Sequence, residues 1–370
     1  MDRTPTDRQL LVALSVAPEL SRAAACALGA TLGSWRDAGP AAAAALAREL
    51  GVPARQLALA RELVPRAAAL AAAADARAAE LGARLVALAE EGYPPPLLDL
   101  RLPPPALHVA GELRAGPAVA IVGSRRATPY ALEIATWLGR ELAAAGLVVV
   151  SGFARGVDAA AHAAALAAPA GRTVAVLGCG LAVDYPRGQR DLALRVAAGG
   201  ALVSEFPPEA PPEAWRFPVR NRIIAALSRG VVVVSAAPRS GSLVTARLAL
   251  ELGRDVLAVP GRILDENSLG AHELLRDGAA LVRHPADVLE ALGLESPGAG
   301  VAPLPRDTGP APSAPADPLL DLLAAGGPLA PEAIAAALDT PVERLLGRLL
   351  ELELAGRLRR LPGPLFAVVR

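Results

Sequence analysis

The chain has 370 residues, and its 37 basic side chains, all arginine, balance 37 acidic ones, so any polyanion site must come from local clustering and not from a chain-wide field. The 53% apolar content is largely alanine, and the longest uncharged apolar runs, such as Leu142–Val150, stop well short of the ~18–20 residues of a membrane span. The polar opening MDRTPTDRQ is unlike a signal peptide, and two cysteines, Cys26 and Cys179, build neither a disulfide framework nor a four-cysteine zinc site, so a soluble chain of two or three domains in a reducing cytoplasm is expected.

In chain order, residues 1–80 read as short helices. Apolar positions recur at helical spacing, and Gly29, Gly33, Gly39-Pro40 and Gly51-Val52-Pro53 break them. Such a pattern suits a small helix-hairpin-helix or SAM-like module. Residues 81–117 are proline-rich, with Tyr93-Pro94-Pro95-Pro96 and Pro103-Pro104-Pro105, and read as an extended connector. Residues 118–293 alternate fully apolar β-rich runs (Ala118–Gly123, Leu147–Gly152, Thr173–Gly178, Ala201–Phe206, Gly230–Ala236, Asp255–Gly261) with helical stretches. Strands apolar throughout must be covered on both faces, which predicts a Rossmann-like, doubly wound parallel sheet. Residues 294–317, rich in Pro, Ala, Gly and Ser, read as a flexible linker. Residues 318–370 show three helical patterns, then two short β-like pieces around Pro362-Gly363-Pro364, which predicts a winged helix-turn-helix. Its six Arg against six Asp/Glu suit protein contact or weak duplex binding better than tight phosphate binding.

In a parallel sheet, ligands bind where strand carboxyl ends feed helix N-termini. Four such junctions are rich in Gly, Ser and Arg. The first holds Gly123, Ser124, Arg125 and Arg126, with Thr128 and Pro129 placed as N-cap and first helical residue. The second holds Gly152, Phe153 and Arg155. The third is Phe217-Pro218-Val219-Arg220-Asn221-Arg222. The fourth is Arg239-Ser240-Gly241-Ser242-Leu243-Val244-Thr245, in which Ser240, Gly241, Ser242 and Thr245 are the candidate seats. Helix N-termini offer unpaired N–H groups and a positive dipole end, and arginine grips phosphate oxygens bidentately. A row of such seats suits a polynucleotide strand better than one mononucleotide.

Residues 116–290 hold 18 Arg against 16 acidic residues, so the field is weak overall. Seven of ten aromatics lie there. Phe153 and Phe217 stand in junction loops, where a base can stack, while core packing is expected for Trp137 and Tyr185. Gly178-Cys179-Gly180 is a poor dinucleotide fingerprint because Val183 stands where its third glycine belongs. His108, His162, His272 and His284 show no ligand spacing, and His162 reads as a local hydrogen-bond partner, with Asp158 the candidate mate. No nucleophile–His–acid set, P-loop, cofactor site or metal site emerges from the sequence, which points away from an enzyme.

These junctions closely resemble the DNA-processing protein A family (DprA, also called Smf). Its ordered motifs are met at Gly123-Ser124-Arg125, Ser151 through His162, Ala175 through Pro186, Ser204-Glu205-Phe206-Pro207, Phe217 through Ser228, Ser240 through Arg254 and Ala258 through Gly261. The resemblance runs from about Tyr93 to Leu294, and the flanking modules look like extensions found in some members. It implies an extended Rossmann-like domain that binds single-stranded DNA without cutting it, dimerises, and helps load the RecA recombinase on incoming DNA during natural transformation. The family's strand-binding pocket maps to Ser124, Arg125, Arg155, Phe217, Arg220, Asn221, Arg222, Ser240 and Gly241. Arg155 stands where many members have Lys, Ser235 where Glu is usual, and His272 where Asn is usual. The alternative is a nucleoside monophosphate phosphoribohydrolase-like enzyme, another Rossmann family that seats a phosphate at a Gly-Thr-rich helix start. Ser240–Thr245 fits such a start, but Ala246-Arg247-Leu248 follows, without the acid those enzymes use.

Overall fold

The computed structural model describes residues 5–36, 43–88, 90–294, 317–354, 357–361 and 365–368. They fall into two compact units, divided between residues 301 and 302. The first is built on a nine-stranded sheet in the order β1-β2-β6-β5-β4-β3-β7-β8-β9. Its strands are β1 (Ala83–Ala87), β2 (Ala106–Gly111), β3 (Ala118–Gly123), β4 (Val148–Ser151), β5 (Arg172–Val176), β6 (Gly200–Ser204), β7 (Gly230–Ser235), β8 (Asp255–Ala258) and β9 (Ala280–Leu281). From β6 to β9 every pairing is parallel. Strand β2 alone runs against the rest, antiparallel to both β1 and β6.

The apolar strand pattern explains the layering. Ala120, Val122, Val150, Val176 and Val233 point to one face and pack with Ile223–Ala226 of α10 (Arg216–Leu227) and Ala246 and Ala249 of α11 (Gly241–Glu251). Val119, Ile121, Val149, Val232 and Leu257 point to the other. There they meet α7 (Pro129–Ala144), α8 (Val157–Ala167) and α13 (Pro285–Ala291). Successive side chains of a strand alternate faces, so apolar residues throughout require a helix layer on each side. The α7 start is as expected: the Thr128 hydroxyl accepts from the Ala131 N–H, and Pro129 is the first helical residue.

The reading of 81–117 as a connector is corrected at two places. Residues 83–87 and 106–111 pair with one another and extend the sheet. Their prolines lie between the strands, where Tyr93 anchors the loop by donating its hydroxyl to the Pro104 carbonyl. The sheet is therefore mixed, though mostly parallel. The N-terminal helices α1 (Asp7–Val16), α2 (Arg22–Ala30), α3 (Leu32–Trp35), α4 (Ala43–Glu49), α5 (Ala54–Leu63) and α6 (Ala67–Glu80) share one core with Leu85, Ala87 and Ala106 of this added hairpin.

The second unit holds α14 (Pro318–Gly326), α15 (Pro331–Ala337) and α16 (Val342–Leu354), followed by the antiparallel pair β10 (Leu358–Leu361) and β11 (Leu365–Val368). Leu319, Leu323, Ile334, Leu345, Leu349, Leu358 and Phe366 form its core. This is the winged-helix order. The linker residues 295–316 and the Pro362-Gly363-Pro364 turn lie outside the described residues. Among the described residues, no helix is long and apolar enough to cross a membrane.

Two histidines, His162 of α8 and His108 of β2, are buried. His162 of α8 meets the Thr173 hydroxyl at 2.6 Å, and that hydroxyl donates onward to the Val149 carbonyl. The Thr173 proton is thus committed, so His162 donates from Nδ1 and is neutral. Its partner is Thr173, not Asp158 as the sequence suggested. Burial, reinforced by Arg220, lowers the His162 pKa to about 3, and burial lowers that of His108 on β2 to about 4. The unfolded chain binds more protons than the native state between these values and about 6.5, so stability falls as pH drops below 6.5. Moving from pH 7 to pH 5 should cost about 2 kcal/mol per histidine. Urea midpoints at the two pH values should therefore diverge less in a His108→Leu variant than in the natural chain.

Candidate functional site

Three of the four junctions open on one groove of about 630 Å³ at the carboxyl edge of the sheet. Gly123, Ser124, Arg125 and Arg126 come from the β3–α7 loop, Phe217, Arg220 and Asn221 from α10, and Ser240, Gly241, Ser242 and Thr245 from the start of α11. The remaining junction supplies Gly152, Phe153 and Arg155 to an adjoining hollow of about 490 Å³. Arg125, Arg126, Ala154, Tyr185 and Phe217 line both, so the two are continuous. All four junctions thus meet at one place. Three do so because β4, β3 and β7 are neighbours in the sheet and their loops leave its same edge, whereas residues 217–222, read as a junction before a helix at Ile223, already lie in the first turns of α10 and reach the groove from there.

The floor is set by Arg220. This side chain is buried, and its guanidinium donates to the carbonyls of Gly152 and Val176 and to Asn221 Oδ1. Asp158 lies against it: a Cβ added to Gly152 would fall 2.7 Å from Arg220 Nη2 and 2.8 Å from Asp158 Oδ2. Only glycine leaves room there for both groups. Burial lowers the Arg220 pKa to about 10, opposed by the Asp158 charge. Burial likewise raises that of Asp158, opposed by Arg220 and the Ala154 N–H. Arg220 therefore organises the floor, and Asp158 stands beside it in the first turn of α8, accepting from the Ala154 N–H.

Above the floor the groove is cationic. Arg125, Arg126, Arg155, Arg187 and Arg239 are exposed, and among the described residues none forms an ion pair. Asp158 is the only carboxylate among the described lining residues. Phe217 is half-buried, with the Arg125 guanidinium 4.9 Å from its ring centroid and the Tyr185 ring 5.5 Å away. Its ring rests on Gly178, where an added Cβ would come within 2.6 Å. Ser240 caps α11 by accepting from the Ser242 N–H, and Asn221 ties α10 to α11 by donating to the Gly241 carbonyl. Ser235 accepts from the Ser124 N–H at 3.4 Å, which gives a hydroxyl at that departure a place beside the first junction. His272 contacts the Gly261 backbone and does not line the groove.

Two expectations are corrected. Arg222 lines neither hollow. It lies about 140° around α10 from Phe217 at 100° per residue, and its Nη2 meets Glu205 Oε2 at 2.6 Å. Glu205 is buried, its main-chain carbonyl accepts from Arg22 of α2, and Cys26 of the same helix accepts from Arg222. Arg222 thus anchors α10 to the N-terminal helices. Phe153 lines the smaller hollow but is 4% exposed and packs with Ala175, Leu177 and Cys179, so its ring belongs to the core. Tyr185 packs against the core as expected and also lines the groove, Arg239 of the fourth junction lines it too, and Arg187 was missed as a lining residue. The signal for Arg187 and Tyr185 was a fifth strand end: β5 adjoins β4, so its loop opens on the same edge.

A mostly parallel, Rossmann-like sheet whose carboxyl edge carries an arginine-lined groove, with a winged helix following in the chain, defines the class of this protein. Residues 84–293 match the family model described as DNA recombination-mediator protein A, and residues 303–364 match the DprA winged helix domain. The chain is similar to Protein Smf of Escherichia coli (strain K12), 45% identical over 284 residues, covering 75% of this chain and 76% of that one. It is 43% identical over 206 residues to the DNA processing protein DprA of Streptococcus pneumoniae, covering 54% and 71%. The solved structure of DprA from Streptococcus pneumoniae superposes with a TM-score of 0.64 at 31% identity, covering 78% of this chain and 98% of that one. A structure of DNA processing protein A from Helicobacter pylori, concerned with its single-stranded DNA binding mode, gives 0.51 at 33% identity, covering 56% and 95%. The chain belongs to the DNA recombination-mediator protein A family.

Because Arg222 pairs with a buried carboxylate, replacing it strands that charge. Arg222→Met should lower unfolding free energy by roughly 3 kcal/mol, whereas Arg125→Ala, at an exposed site, should stay within about 0.5 kcal/mol of the natural chain. Equilibrium urea unfolding of both variants checks the contrast.

Proposed function

We propose that this chain binds single-stranded DNA in the arginine-lined groove without cutting it and acts as a recombination mediator in natural transformation. In this reading it works in the cytoplasm as a homodimer and helps load RecA on the strand. The observation that carries the binding role is the groove itself: five exposed arginines that form no ion pair among the described residues, set around Phe217 and the capped start of α11. Arginines in a row neutralise successive phosphates, and the amide-rich start of α11 adds a further anion seat. The groove's openness to solvent and its aromatic wall suit a flexible strand whose bases are free to stack. The Helicobacter pylori relative, characterised for single-stranded DNA binding, supports the same ligand. The family's description as a recombination mediator supports the role with RecA.

A binding rather than catalytic role is supported by how the polar groups are used. Asp158 is held by Arg220 and the Ala154 N–H, and His162 is engaged with Thr173 beneath α8. The site residues we propose for the strand are Gly123, Ser124, Arg125, Arg126, Arg155, Arg187, Phe217, Arg239, Ser240 and Gly241. The buried Gly152, Phe153, Arg220, Asn221, Ser242 and Thr245 shape the groove from beneath.

Each phosphate neutralised on a single strand contributes about −0.7 to the slope of log affinity against log salt. With up to five arginines engaged, the slope should approach about −3.5. Arg125→Ala should weaken oligo-dT binding several-fold and flatten the slope by about 0.7. Fluorescence anisotropy across a salt series measures both. A salt-independent affinity, or an Arg125→Ala variant that binds as the natural chain does, contradicts the assignment.

A further inference from the structure

Trp215 is not among the buried core residues, and the groove's described lining does not include it. It immediately precedes α10, and its sequence neighbours Pro212, Ala214, Phe217 and Pro218 line the groove. It is therefore at the groove's rim. The residue is 49% exposed, an unusual state for so large an apolar ring. Yet the ring is held firmly. The Arg216 guanidinium lies 5.1 Å from its centroid and 5.2 Å from that of Phe206, and Phe206 meets the indole edge-on at 6.0 Å. The indole N–H donates to Glu213 Oε2 at 2.5 Å. Arg216 is itself fixed by donating to the Pro211 carbonyl and lies 3.4 Å from Glu213, so its charge and that of Glu213 are satisfied locally.

We propose that Trp215 is a stacking platform that takes a nucleobase of the bound single strand just beyond the groove. This rests on the proposed DNA-binding role and extends its footprint past the phosphate seats to the start of α10. The occupant follows from continuity: a strand whose phosphates lie along the arginines passes Pro212 and Ala214 as it leaves the groove. A rigid, half-exposed indole at that point offers a π face without further ordering. Every base has a π face, so the platform adds affinity without sequence preference. Glu213 and Arg216 act through the ring by fixing its plane.

The chain carries its own probe. Its three tryptophans are Trp35, Trp137 and Trp215. Trp35 is fully buried and Trp137 is 4% exposed, so a change in tryptophan emission on binding an oligonucleotide reports on Trp215. The full-length chain is titrated with 5′-labelled oligo-dT, with anisotropy following binding and tryptophan emission following contact. The natural chain should show quenching that saturates together with anisotropy. Trp215→Leu, which keeps apolar packing against Phe206 but has no π face, should bind roughly tenfold more weakly. Trp215→Phe should keep affinity within about threefold while losing the quench. An anisotropy change with unaltered emission, or a Trp215→Leu variant of natural affinity, overturns the platform and leaves the DNA-binding role standing. Absence of any anisotropy change overturns both.

Discussion

The groove depends on one buried guanidinium. Arg220 reaches from α10 to the carbonyls of Gly152 and Val176, which lie just past β4 and at the end of β5, and packs beside Asp158 at the start of α8. Carbonyls at strand ends would otherwise lack ladder partners at the sheet edge, and a buried arginine would otherwise lack acceptors. Each makes the other tolerable in the interior. Through Asn221 the same helix holds the start of α11. The ends of β4 and β5 and the start of α11, from separated stretches of chain, therefore share one fixed reference.

Helix α10 has two functional faces. Phe217, Arg220 and Asn221 turn toward the groove, while Arg222 turns toward Glu205 and the N-terminal helices. The contact with α2 through Arg22 and Cys26 makes the N-terminal helices part of the groove's support, as does the core they share with β1 and β2. An exposed Arg77–Glu209 pair at 2.6 Å adds little by comparison, since surface ion pairs are heavily screened.

Much of this was legible in the sequence, for identifiable reasons. Strands β3 to β8 are short apolar runs bounded by glycine and polar junctions, and double coverage of such strands leaves little freedom in the fold. The hairpin β1–β2 was hidden because its strands flank a proline-rich loop, and composition over the whole stretch outweighed the local runs Leu85-Val86-Ala87 and Leu107-His108-Val109. Three of the four junctions were recognisable because glycine, serine and arginine follow strand ends, while residues 217–222 turned out to lie inside α10. Arginines adjacent in sequence could not be assigned a common role by composition alone. Helical phase separates Arg220 from Arg222, and only the identity of their acceptors shows that one forms the floor and the other an anchor. Phe153 was similarly ambiguous, because a junction loop can turn its aromatic ring inward.

The central claim is that loops from β3, β4, β5 and β7 form one cationic surface for a single polynucleotide strand. Hydrogen–deuterium exchange on the full-length chain, with and without oligo-dT, tests it most directly. Protection is expected together in residues 123–128, 152–158, 185–189 and 238–243, with no comparable change in residues 317–354. Protection confined to the winged-helix residues, or to one of the four loops alone, would contradict the account.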